Sequence, residues 1–243
     1  MDNDSVPTIF DLPELRDRVH VFRDRAHAGK ILVGMLEPNR GGDSIVLAIP
    51  AGGVPVGAVL AEQLSLALDV AVVSKITLPW NTEAGYGAVA FDGTVRLNDG
   101  LLLRLGLTKE EVGKGIEKTS SKVAQRVNRL RRGRPFPDLS KRSVILVDDG
   151  LASGFTMRVA VEALRKAGAG HIIVGTPTGY RGPMERIAGE VEALYCPNIR
   201  SGLSFAVADA YERWSDVDED EVIRILEGFV GGAFACQPAA RVF

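Results

Sequence analysis

The sequence has 243 residues, 46% hydrophobic and 25% charged, the balance of a globular chain with room for one large domain or two small ones. A net charge of −2 and a pI near 6.0 give no general attraction for nucleic acid. The two cysteines, Cys196 and Cys236, form neither a disulfide framework nor a metal-ligand spacing, which points to a reduced, cytoplasmic setting.

The opening stretch "MDNDSVPTIFDLPELRDR" lacks the apolar core of a secretory leader. No uncharged apolar run reaches the roughly eighteen residues of a spanning helix, so no membrane partner is expected. Leu15, Val19, Phe22, Ala26 and Leu32 recur at helical spacing and predict a first helix over Pro13 to Met35. A buried strand over Ser44 to Ile49 follows, then a glycine loop and a helix from Pro55 to Leu66. "DVAVVSKI", Asp69 to Ile76, reads as a second strand. Strand, loop, helix and strand in this order make a βαβ unit and demand a parallel sheet.

"GAVAFDGTVRL" breaks that rhythm, because Asp92-Gly93 between β-prone runs marks a tight hairpin. Thr108 and Glu111 are spaced as a capping box at the head of a long helix running to Arg132. Basic residues outnumber acidic ones along that helix. With no aromatic platform for base stacking, a solvated face or an interface is favoured over RNA binding. A strand over Ser143 to Val147 comes next, then a loop and a helix from Phe155 to Ala167. "HIIVGTP", "RGPMERIA" and "EVEALYCP" then read as strand, helix and strand, and a last helix covers Asp218 to Leu226. The alternation gives an α/β fold: a doubly wound, mostly parallel sheet flanked by helices, with a hairpin and flexible-loop insert and a small C-terminal hood.

"VILVDDGLASGFTM", Val144 to Met157, carries the chemistry. Asp148 and Asp149 stand at the carboxyl end of a strand, where open parallel sheets bind ligands. Adjacent acids raise one another's pKa unless cations or hydroxyl donors compensate, as a sugar diol or a hydrated Mg²⁺ would. The small residues that follow let backbone N–H groups converge at a helix N-terminus, and Ser153 and Thr156 add hydroxyls: a nest for a phosphate monoester. A diol site beside a phosphate site suggests ribose 5-phosphate. A Walker A loop is missing, since "VGKGIEKT" has Gly115 where a hydroxyl residue belongs. No G-x-G-x-x-G follows a strand either.

These residues resemble the motif with which type I phosphoribosyltransferases bind 5-phosphoribosyl 1-diphosphate (PRPP): four apolar residues, two acids, then a loop containing [ST]-G-x-T. The wider pattern, including "EAGYGAVAFDG" and "YERWSDVDEDEV", is similar to a broad bacterial and archaeal group of this family without an assigned substrate. The resemblance covers roughly residues 10 to 230. It implies one phosphoribosyltransferase domain over 1–230, with a hood drawn from about 195–230 and the N-terminal helix, and an irregular tail over 231–243.

It further implies that Gly150, Leu151, Ala152, Ser153, Gly154, Phe155 and Thr156 hold the 5-phosphate, with Asp148 and Asp149 on the ribose hydroxyls. "IPAGGVPVG" takes the place of the pyrophosphate loop, through Ala51, Gly52 and Gly53 with a strained or cis peptide, and Lys75 matches the basic residue beside pyrophosphate. Read alone, that glycine loop is equally a plain strand-to-helix turn, and Lys75 a solvated strand-end lysine. Mg²⁺ is the implied cofactor, carried by PRPP and met by Asp148 and Asp149 through water.

The segment "TLPWNTEAGYGAVAFDGTVRL" corresponds to the family's mobile loop. In it Glu83 is a candidate proton-transfer group and Arg96 the sole cation. Ala152 replaces the aspartate of the 6-oxopurine enzymes, and Phe155 stands where a small residue is usual. Phe205, Tyr211 and Trp214 either stack on a base or pack the hood.

The expected activity is Mg-dependent transfer of the phosphoribosyl group to a nitrogen nucleophile, a nucleobase in the first instance, with release of pyrophosphate, by a homodimer. The rivals are a PRPP- or nucleotide-sensing regulator on the same fold, and a PRPP or nucleotide hydrolase.

Overall fold

The computed structural model describes residues 8–78, 80–202 and 204–229, and the side chains of 81–84 lie outside that description. In chain order the first half comprises β1 (Ile9–Phe10), α1 (Arg25–Leu36), β2 (Ile45–Ala48), α2 (Gly53–Leu64), β3 (Ala67–Val70), β4 (Val73–Leu78), β5 (Asn81–Ala90), β6 (Val95–Leu97), α3 (Asp99–Leu105) and α4 (Lys109–Arg131). The second comprises β7 (Ser143–Val147), α5 (Phe155–Lys166), β8 (His171–Gly175), β9 (Thr178–Tyr180), α6 (Arg181–Ala188), β10 (Ala193–Tyr195), β11 (Asn198–Arg200) and α7 (Glu219–Phe229).

Among the described residues, six strands form a parallel sheet in the order β1-β10-β8-β7-β2-β3. The central strands are buried on both faces, which is why they read as unbroken apolar runs. Alternate residues serve opposite layers. Ile45, Leu47, Val144 and Leu146 pack with Met157, Ala160 and Leu164 of α5. Val46, Ala48, Ile145 and Val147 pack with Leu32 and Leu36 of α1 and Leu60 and Leu64 of α2. The chain passes from β2 to β3 on one side and from β7 to β8 on the other. The crevice between the carboxyl ends of β2 and β7 is thus the topological switch point.

The expected first helix is divided. Residues 13–15 make a single 3₁₀ turn and α1 begins at Arg25, capped by the Asp24 carboxylate, which accepts from the His27 amide at 2.9 Å. Between them the backbone of Asp17, His20 and Phe22 donates to Ile199, Asp209 and Ala210, and Phe22 is fully buried against Tyr211. These tertiary bonds outcompete the helical periodicity.

The strand expected over Asp69 to Ile76 is two strands. β3 ends at Val70, and β4 leaves for a separate antiparallel sheet, β4-β5-β6. Most of the expected mobile loop is therefore strand, closed by a turn in which the Asp92 carboxylate accepts from the Thr94 amide and Gly93 takes a φ of 88°. α4 has the expected capping box. No described helix is long and apolar enough to cross a membrane.

Candidate functional site

The loop leaving β7 turns into the switch-point crevice because its amide and carbonyl are held on the far side. Leu151 N–H donates to the Thr178 carbonyl at 2.9 Å, and Tyr180 N–H donates to the Leu151 carbonyl at 2.8 Å. Gly154, at a φ of 71° and close against Ile187 and Pro183, starts α5 in a conformation only glycine holds cheaply. A cavity of about 250 Å³ results, lined by the whole run Asp148–Met157 together with Lys75, Val207 and Trp214. Gly150, Leu151, Ala152, Ser153, Gly154, Phe155 and Thr156 therefore surround one space with both acids and the lysine.

The amides of Ala152, Ser153 and Gly154 donate to no protein acceptor among the described residues, and the α5 N-terminus faces the same way. Donors so arranged suit an anion. Phe155 lines the cavity and also packs in part against the core layer beneath α5.

The two carboxyls are treated unequally. Arg25, at the start of α1, donates from Nε to Asp149 Oδ2 at 2.8 Å and from Nη1 to the Ser215 carbonyl at 2.8 Å. Its guanidinium lies 3.9 Å from the centroid of the Trp214 ring. Tyr211 Oη donates to the Asp149 carbonyl at 2.6 Å. Burial raises the Asp149 pKa, and the charge and hydrogen bond of Arg25 oppose that rise. Among the described residues Asp148 has no such counterion at contact. Burial, then the Asp149 charge, push its pKa well above the ordinary carboxylate value, with the Asp149 amide and Lys75 working against them.

Ala51, Gly52 and Gly53 are not among the cavity's lining residues; they stand behind the acids. A Cβ on Gly52 would fall 1.9 Å from Asp149 Oδ2, and one on Gly53 would fall 2.7 Å from the Val147 carbonyl. Their smallness is required by the protein's own strand tip. The Pro50–Ala51 peptide is cis, as the family pattern implied. Lys75 lies in β4, in the second sheet, and still reaches the cavity. Arg96 does not: its Nε donates to Glu162 on α5 at 2.7 Å. The side chain of Glu83 lies outside the described residues.

Of the aromatic trio, Trp214 lines the cavity, Tyr211 braces Asp149, and Phe205 packs on Tyr180 and Arg200. Arg25 and Val207 escaped the sequence reading. Arg25 lies 124 positions from its partner Asp149, with no local signal. Val207 is betrayed only by Gly150, whose Cβ would meet Val207 at 2.2 Å. Among the described residues, no group of three or more His, Cys, Asp or Glu side chains could hold a metal by itself. The acid pair alone suits an ion that arrives with its own ligands.

A parallel sheet whose switch point carries an acid pair and a loop of small residues is the arrangement of the type I phosphoribosyltransferase fold. The phosphoribosyl transferase domain family model matches residues 26–193, and the chain belongs to that family. Two Mycobacterium tuberculosis proteins classed by name as phosphoribosyl transferases, MT0597 and Rv0571c, are each 33% identical over 207 residues. That stretch is 85% of this chain and 46% of each relative, so the chain spans about half the length of these relatives. The crystal structure of TT1426 from Thermus thermophilus is similar with a TM-score of 0.68 and 30% identity, over 86% of this chain and 99% of that one.

Proposed function

We propose that the protein is a Mg-dependent phosphoribosyltransferase that moves the 5-phosphoribosyl group of PRPP to a nitrogen nucleophile, a nucleobase in the first instance. One observation carries this reading: acid pair, free amides and Lys75 line a single cavity at the switch point. The 5-phosphate sits on the amides of Ala152, Ser153 and Gly154 and the Thr156 hydroxyl. Asp148 takes the ribose hydroxyls, while Asp149, neutralised by Arg25, fixes the floor beneath. Lys75 holds the diphosphate, with Gly52 and Gly53 at its back.

Mg²⁺ arriving with PRPP would meet Asp148 through water and neutralise charge on the diphosphate. The acceptor nitrogen attacks C1 as the C1–oxygen bond to diphosphate breaks, and the bond's electron pair leaves with diphosphate. Glu83 is the proposed receiver of the nitrogen's proton. Positioning and stabilisation of the leaving charge supply most of the rate. In the same proposal the segment around Val207–Trp214 is the hood of a single domain, and it keeps water from the sugar cation.

The test is pyrophosphate release from PRPP and Mg²⁺ with a panel of bases. Release that requires one base supports transfer. Release without any base shows a hydrolase, and saturable PRPP binding without release shows a sensor. Asp148→Asn with Asp149→Asn is expected to abolish PRPP binding, by at least about 100-fold as the charge-assisted ribose contact and the floor beneath it are lost together, in a chain whose circular dichroism is unchanged.

A further inference from the structure

The β4-β5-β6 sheet and α4 enclose a second cavity, of about 520 Å³. Lys75 lines both cavities, so they adjoin through its side chain. Lys114, Lys118 and Lys122 edge the larger one at four-residue spacing, which places them on one face of α4, and Leu78 and Tyr86 form its apolar side.

Glu111 is the carboxylate among the described lining residues, and it is already engaged: the Thr108 amide and hydroxyl donate to its Oε2 at 2.9 and 2.8 Å. Lys114 reaches Glu110 at 2.7 Å on the solvent side. Lys118 and Lys122 pair with no carboxylate at contact distance among the described residues, and Lys75 feels the Asp148 carboxyl only without direct contact. Further along the same helix, Arg126, Arg129, Arg131 and Arg132 each meet one. Unmatched positive charge is thus concentrated at the cavity, where like charges one turn apart repel.

We propose that this cavity is a second anion subsite, for a polyanion bearing several phosphate groups, on the diphosphate side of the phosphoribosyl pocket. The inference rests on the reading above in taking Lys75 as the neighbour of diphosphate. An entering nitrogen approaches C1 from the face opposite the leaving oxygen. A space reached past Lys75 therefore lies on the leaving side, and an acceptor held there would face away from C1. Ammonium groups are point charges with rotatable donors and suit phosphates of varied geometry. The apolar wall of Leu78 and Tyr86 covers an organic portion if one is present. Two ligands share this chemistry: the released diphosphate, and a separate oligophosphate that competes with PRPP at Lys75.

Inorganic tripolyphosphate and inorganic pyrophosphate, titrated calorimetrically at two salt concentrations, distinguish them. The Lys118→Gln/Lys122→Gln variant is expected to bind tripolyphosphate about ten-fold more weakly, with a shallower salt dependence and PRPP affinity within about two-fold of the unaltered protein. An equal loss for pyrophosphate assigns the subsite to the product, and a loss for tripolyphosphate alone assigns it to an effector. Either result supports the subsite.

Unchanged affinity for both probes, or no binding of either to the unaltered protein, overturns it. An equal fall in PRPP affinity also does so, because the lysines then belong to the PRPP site. Both replaced side chains are exposed, and an unchanged melting temperature checks the fold. Asp148→Asn with Asp149→Asn is expected to lose PRPP and keep tripolyphosphate, so failure of the ribose site and failure of this subsite are read separately.

Discussion

Asp148 and Asp149 are neighbours in sequence, yet the fold gives a cation to one and burial to the other. Because the folded-state pKa of Asp148 is raised, the native chain keeps a proton there that the unfolded chain has already lost. Between the ordinary carboxylate value, about 3.9, and the raised one, the native state binds more protons, so stability falls as pH rises through that window. Asp148→Asn removes the penalty and leaves an oxygen to accept the Asp149 amide.

At neutral pH its melting temperature is expected to rise, by about 2–4 °C for each kcal/mol relieved in a chain of this size. The gain should vanish at a pH below the ordinary carboxylate value. Thermal scans across pH check this, and a gain that does not depend on pH would sink it. PRPP binding is expected to fall in the same variant, a site bought at the expense of stability.

Arg25→Gln has the opposite sign. It strands Asp149, whose side chain is 14% exposed, and is expected to destabilise the chain by about 3 kcal/mol while weakening PRPP. Arg25→Lys keeps a charge but loses the planar stack on Trp214, and should restore only part of the stability. Trp214 emission, read in a Trp80→Phe background, reports the loss of the guanidinium from the ring.

At the level of elements, most periodic segments were legible, the divided first helix excepted, and their company was not. Thr108 and Glu111 announced the head of α4, and Asp92-Gly93 announced the β5–β6 turn, because both signals are local hydrogen-bond chemistry. The basic surplus of α4 carried no such local answer. In the fold Arg126 and Arg129 converge on Glu219, and Arg129 also reaches Asp220. The basic stretch thus divides into an arginine half matched by α7 and by Asp69 of β3, and a lysine half facing a cavity.

Glu219→Gln is expected to lower stability by about 1 kcal/mol, since one partner, Arg126, is well shielded and a typical exposed pair is worth less. Chemical denaturation checks the value, and a loss below about 0.3 kcal/mol would reduce the pair to a solvated surface contact. The division of "DVAVVSKI" into β3 and β4 was invisible for a related reason. Apolar alternation does not say which sheet a strand joins, and the Ala71 amide, bonded to the Ala48 carbonyl at 2.9 Å, is where the chain turns away.

For the whole molecule, the alternation of apolar runs with amphipathic helices and the run "VILVDDGLASGFTM" were enough to place a parallel sheet and its ligand end. Strand tips and glycine loops of this kind are set by contiguous residues, through backbone sterics and burial, so the sequence alone determined the sheet class and the meeting of the acid pair with the small-residue loop at one strand end. The inequality of the two acids, the bracing of Asp149 by Arg25 and Tyr211, and the packing of Val207 on Gly150 came only with tertiary structure. So did the partial core packing of Phe155, the withdrawal of Arg96 to Glu162, and the lysine-edged cavity next to Lys75. Each depends on side chains far apart in the chain meeting in low-dielectric space, where charge and shape act over a few ångströms and no local periodicity records them.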